Sequence, residues 1–185
     1  MYINPEQTRT PERLQTMATI QTDAKIAAFL DLIAWSEGTS ISPVSKNDGY
    51  DVIVSGVDGK HTFNDYDVHP FAQGRKPIVV RASNPPLLST ASGRYQIILP
   101  TWLSVSRVNA IPSFLPLYQD IAAVALLERH NALNPILAGD LQVAFALASC
   151  IWASFPGSNA NQPTHTDMNL LSVYASLLDT QGVML

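Results

Sequence analysis

From Asp23 onward, apolar residues recur at helical spacing. Ile26, Phe29, Leu30, Ile33 and Ala34 mark the buried stripe of a first helix, with Thr22 or Asp23 as its N-cap and Gly38 as its stop. Glu37 therefore sits at the C-terminal end of an apolar helix. Residues 40–50 are rich in Ser, Pro, Asn, Asp and Gly and predict a loop. Tyr50–Val54 and Lys60–Phe63 are short β-branched runs around Asp58-Gly59, which predicts a hairpin. Ile78–Arg81 adds a third strand after a loop over 64–77.

The rest reads as helices. One opens near Pro100 and runs through Val108, and a longer one spans Pro116 to about Asn131. A short one begins at Asn134-Pro135 and stops at Gly139. Another is capped by Asp140 and runs to about Ala153, and a last one is capped by Asp167 and ends near Gly182. The pattern predicts an α+β fold, with a small antiparallel β-sheet inserted in a mainly helical body. Residues 1–22 lack apolar periodicity and predict a flexible N-terminal tail, leaving residues 23–185 as one domain.

Composition narrows the function. Of 185 residues, 46% are hydrophobic and 14% charged, as in a globular protein able to bury a core. The net charge of −4 supplies no basic field for nucleic acid or an anionic membrane. The apolar run Ile121–Leu127 is far short of the roughly 20 residues that span a bilayer, so no membrane insertion is expected. The N-terminus has no apolar core of a signal peptide. Cys150 is the single cysteine; in its apolar setting it reads as a buried hydrophobe. His61, His69, His130 and His165 are dispersed, so neither a metal site nor a cofactor is expected.

The four glutamates are Glu6, Glu12, Glu37 and Glu128. Two lie in the tail, and Glu128 beside Arg129 reads as a solvated helix face. Glu37 follows Trp35 at an apolar helix end. Burial disfavours its ionised form, and the negative helix C-terminus acts in the same direction. A carboxyl held protonated near neutral pH can donate to a leaving oxygen. A second carboxylate would complete a glycosidase pair, and Asp48, Asp51, Asp58, Asp65 and Asp67 lie within reach of the predicted sheet.

Four blocks occur in order: Ala34-Trp-Ser-Glu-Gly-Thr39, Gly49-Tyr-Asp-Val-Ile-Val54, Ser89-Thr-Ala-Ser-Gly-Arg-Tyr-Gln-Ile97 and Ile151-Trp-Ala-Ser-Phe-Pro-Gly157. With Phe63-Asn-Asp-Tyr66 and His69-Pro70, they closely resemble the phage lambda endolysin (lambda lysozyme) family over roughly residues 26–172. The resemblance implies a lysozyme-like fold whose small sheet lines a cleft. It implies an endolysin with lytic transglycosylase activity on peptidoglycan glycan strands, lysing the phage host. Glu37 occupies the family's catalytic position. It would protonate the oxygen leaving C1 of N-acetylmuramic acid, then take the proton of the C6 hydroxyl as that attacks C1 to close a 1,6-anhydro ring.

The resemblance also implies substrate contacts from Ser36, Tyr50, Asp51, Arg94, Tyr95, Gln96, Trp152, Gln162 and His165. From the residues themselves, Asp51 can instead be structural, Arg94 can hold an aspartate, Tyr95 can be a buried turn hydroxyl and Trp152 can be core. The family's tyrosine expected near Asn159–Asn161 is missing. Further implied are a monomer, accumulation in the host cytoplasm and holin-dependent release to the periplasmic wall. A hydrolytic muramidase and a non-catalytic peptidoglycan-binding phage structural protein remain the alternatives.

Overall fold

The computed structural model describes residues 22–158 and 164–182. All but Thr22 of the expected tail lies outside these residues, as does Gln162. The order of elements is α1 (Ala24–Ser36), β1 (Val52–Gly56), β2 (Gly59–Thr62), β3 (Ile78–Arg81), β4 (Leu87–Ser89), α2 (Leu99–Val108), α3 (Pro116–Arg129), α4 (Leu133–Ala138), α5 (Leu141–Ala148) and α6 (Asp167–Thr180). This is an α+β architecture.

Helix α1 is the axis of the core. The Asp23 carboxylate accepts the Lys25 N–H at 2.8 Å and caps its start. Every residue from Ile26 to Ala34 is buried, because α1 packs against α6, α4 and α3 on different sides. A helix enclosed this way needs apolar residues all round rather than one stripe. Phe29 lies at its middle, stacked on Phe145 and Phe155 and edge-on to Tyr174.

The expected single sheet resolves into two antiparallel ribbons, β1-β2 and β3-β4. The third strand pairs with β4, a three-residue strand absent from the sequence reading, and not with the first hairpin. The ribbons meet through the Val57 N–H, which donates to the Val79 carbonyl at 2.8 Å. In the first hairpin the turn is Val57-Asp58, and Gly59 opens β2 at φ 118°.

The helical half departs from expectation at its caps. Helix α5 ends at Ala148, about one turn early, because the chain breaks into turns that aim the Trp152 indole N–H at the Tyr95 carbonyl, 2.9 Å away. Trp152 is thus not on a helix, and Cys150 is exposed rather than buried. Helix α6 is capped by Thr166, whose hydroxyl accepts the Asn169 N–H, with Asp167 as its first residue. Helix α4 starts at Leu133, so Asn134-Pro135 lies inside its first turn, where a missing N–H costs no helical bond.

Candidate active site

The C-terminus of α1 delivers the candidate acid. Glu37 is the helix C-cap, its N–H bonded to the Ile33 carbonyl at 2.9 Å, and Gly38 turns the chain away at φ 71°. The side chain enters a cavity of about 540 Å³ between the helical body and the β3-β4 ribbon. Val54, Val80, Leu87, Leu88, Ala91 and Ile98 form its apolar wall, with Arg81, Ser89 and Gln96 as its other polar groups. An apolar wall with a few polar groups suits a sugar ring, which is apolar on its faces and polar at its edge.

Ser154 holds the carboxylate. Its hydroxyl donates to Glu37 Oε1 at 2.7 Å, and its backbone adds a second hydrogen bond. Ser36 Oγ lies 3.0 Å from Ser154 Oγ and 2.9 Å from the Ile33 carbonyl, so the two serines and Glu37 form one chain. Burial raises the Glu37 pKa above its ordinary value, and the Ser154 bonds lower it in part. Burial wins, which suits a proton donor. His165 braces the arrangement: its ring packs on Trp35 at 4.6 Å, its Nε2 lies 3.3 Å from the Ser36 carbonyl, and its backbone N–H donates to the Ser154 carbonyl.

Of the expected contacts, Gln96 lines the cavity with Glu37, Ser36 and His165 are joined to Glu37 through Ser154, and Tyr50, Asp51, Arg94, Tyr95 and Trp152 are buried away from it. Gln96 sits in the left-handed region at φ 46°, anchored by Nε2 to the Gly93 carbonyl, and lines the cavity. Tyr95, beside it, is fully buried and donates to Asp120 Oδ1 at 2.6 Å. Tyr50 is 2% exposed and donates to the same oxygen at 2.8 Å. Neither ring offers a surface to a sugar; both serve as tethers of the cleft floor to α3. Burial, then the Asp120 charge, pushes the Tyr95 pKa well up, so the hydroxyl stays a donor.

Arg94 is likewise not a sugar contact. It is buried and pairs with Asp31 of α1 at 2.7 Å and with Asp48 at 2.7 Å, and its guanidinium lies over the Tyr50 ring. It therefore locks the Gly93–Gln96 turn to α1. Gly93 is required there, since a Cβ would lie 2.1 Å from Gln119 Oε1, the atom that accepts the Arg94 N–H. Asp51 is 5% exposed and caps the preceding loop, accepting the Ser45 hydroxyl at 2.5 Å and the Lys46 N–H at 2.9 Å. Trp152 is core, and it supports the Gln96 turn from below through the Tyr95 carbonyl.

Ser154 is the site residue that sequence reasoning missed. Its signal was its place in the Ile151–Gly157 block. The apolar wall was also missed, because isolated exposed leucines carry no pattern.

The family model described as Endolysin matches residues 27–180. The chain is 45% identical to the endolysin of Escherichia phage P2 over 159 residues, covering 85% of this chain and 95% of that protein. It is 38% identical to the endolysin of Escherichia phage lambda over 148 residues, covering 80% and 87%. Among solved structures, bacteriophage lambda lysozyme complexed with a chitohexasaccharide aligns with a TM-score of 0.74 at 35% identity, covering 85% of this chain and 96% of that one. A second structure of lysozyme from bacteriophage lambda aligns at 0.70 and 30% identity, covering 90% and 99%.

Proposed function

The chain belongs to the endolysin family, and from that premise we propose that it is a peptidoglycan lytic transglycosylase with Glu37 as its sole acid/base. The observation that carries this reading is the carboxylate inventory of the cleft. Among the described residues lining the Glu37 cavity, no other residue is acidic. Asp51 caps its loop, Asp48 is paired with Arg94, Asp58 with His61, and Asp65 accepts the Asp67 N–H. A hydrolase of the two-carboxylate type needs its second group across the scissile bond, about 5–9.5 Å from the first.

A single acid suffices when the substrate brings its own nucleophile. Protonated Glu37 gives its proton to the glycosidic oxygen between N-acetylmuramic acid and N-acetylglucosamine, and the C1–O bond breaks. The resulting glutamate takes the proton from the C6 hydroxyl of the same muramic ring. That oxygen bonds to C1 and closes the 1,6-anhydro product, and Glu37 is protonated again. No water is consumed. An intramolecular nucleophile avoids the entropy of fixing a separate one. The raised pKa supports the first step, and the Ser154 bonds stabilise the glutamate that the second step needs. The glycan ligand of the lambda lysozyme structure supports a sugar polymer as substrate.

Mass spectrometry of digested peptidoglycan in ¹⁸O water tests the proposal. Anhydro-muramic ends without solvent oxygen are expected. Reducing ends that carry the label would make the enzyme a hydrolytic muramidase, and binding without any cleavage would make the chain a wall-binding protein.

A further inference from the structure

A second cavity of about 470 Å³ adjoins the catalytic one, and Gln96 and Ile98 line both. It lies between α2, the end of α3 and the turn at 150–152, and its size is within the range of about 300–1,000 Å³ typical of small-ligand sites. Thr101 and Ser104 of α2 line it, together with Arg129 and His130 at the end of α3. Among the described residues, no carboxylate lines it. Arg129 makes a single weak contact there, to Ser104 Oγ at 3.4 Å, and no salt bridge.

A neutral sugar ring would leave the Arg129 charge without a counter-charge. In a chain of net charge −4, a concave wall with an arginine, a histidine and no acid among its described residues fits an anion. In peptidoglycan the anionic groups near the scissile bond are the carboxylates of the peptide attached to the lactyl ether of muramic acid. The ring cut at C1 beside Glu37 carries that ether on C3. Gln96 is shared by the two cavities, so a peptide leaving the cut ring on that side would enter the adjoining one, while one leaving on the opposite side would meet the ribbon wall that bears Arg81.

We infer that this adjoining cavity is the site for the stem peptide, with Arg129 and His130 receiving a peptide carboxylate. The assignment rests on the reading of the chain as a peptidoglycan-cleaving enzyme. An Arg–carboxylate contact is charge-assisted and can be bidentate, so it adds discrimination between peptide-bearing and bare strands.

Two measurements separate this site from the cleavage reading. In the first, a soluble N-acetylmuramyl-tetrapeptide is titrated by NMR into wild-type protein, Arg129→Gln and Arg81→Gln. Arg129→Gln is expected to weaken binding by about tenfold or more, and Arg81→Gln far less. Equal binding by wild type and Arg129→Gln, or a larger loss in Arg81→Gln, overturns the assignment.

In the second, kcat/KM is compared on intact strands and on strands stripped of peptide by an amidase. The ratio of the two is expected to fall toward one in Arg129→Gln and in His130→Gln, through KM. A ratio unchanged by both substitutions also overturns the site. If wild type cuts neither kind of strand yet still binds the muramyl peptide through Arg129, the cleavage reading fails and the peptide site stands.

Discussion

Ser154 and Glu37 lie 117 residues apart and share a hydrogen bond of 2.7 Å. The bond stabilises the ionised carboxylate, while burial of the same group stabilises the neutral acid. A residue that must both give and take a proton needs these two influences in opposition.

Replacing Glu37 by Gln is expected to lower cleavage by at least about 10²-fold to 10⁴-fold, measured as release of anhydro-muramic ends. The fold should survive. Because the folded-state pKa of Glu37 is raised, the stability it contributes is greatest below its ordinary value of 4.5. That contribution is lost as pH rises through the raised value. At neutral pH the Gln variant should therefore melt no lower than wild type. Substantial residual activity would remove Glu37 from its role.

Ser154→Ala removes a donor to the glutamate and so raises the Glu37 pKa further, by loss of a hydrogen bond to the charged form. The alkaline limb of the pH–kcat/KM profile should move to higher pH. Loss of orientation should lower kcat by roughly tenfold, equivalent to about 1.4 kcal/mol. An unshifted limb would assign Ser154 to packing alone.

Asp51→Asn tests whether a second carboxylate takes part. The carboxylate holds the Ser45 hydroxyl and the Lys46 N–H, so its loss should cost about 1–2 kcal/mol of stability in denaturant unfolding. Cleavage should remain within a few-fold of wild type. Complete loss in a folded protein would restore a two-carboxylate mechanism.

Tyr95→Phe removes one of the two phenol donors to Asp120 Oδ1. We expect a loss of about 1–3 kcal/mol, read from the urea midpoint, with KM for peptidoglycan unchanged. A raised KM at unchanged stability would return Tyr95 to the substrate surface.

His69 is buried against Trp102 and Phe114, with Nε2 on the Ile97 carbonyl, and burial lowers its pKa from 6.5 to about 4. Unfolding below pH 6.5 lets the ring take up a proton, so its contribution is lost as pH falls from 6.5 to about 4. The window corresponds to roughly 3 kcal/mol. NMR titration should find the ring neutral at pH 5; protonation there would contradict its buried state.

Hydrophobic periodicity and the ordered motif blocks were enough to determine the six helices of the described residues, the α+β class, the family and the position of Glu37 at a helix end. These are local or collinear properties: a 3.6-residue repeat, a cap, or a motif can be read without knowing what lies opposite. The directions of side chains on irregular segments are not local. Tyr50 and Tyr95 sit in turns, where no repeat distinguishes inside from outside, and Asp120 on a distant helix draws both inward. Arg94 is buried because Asp31 and Asp48 meet it. Trp152 leaves its helix because its indole N–H finds the Tyr95 carbonyl, and Cys150 is exposed on the same turn. Ser154 reaches Glu37 because the turns that follow α5 pass the end of α1. Tertiary structure decided these orientations because buried polar groups must find partners, and those partners lie tens of residues away along the chain.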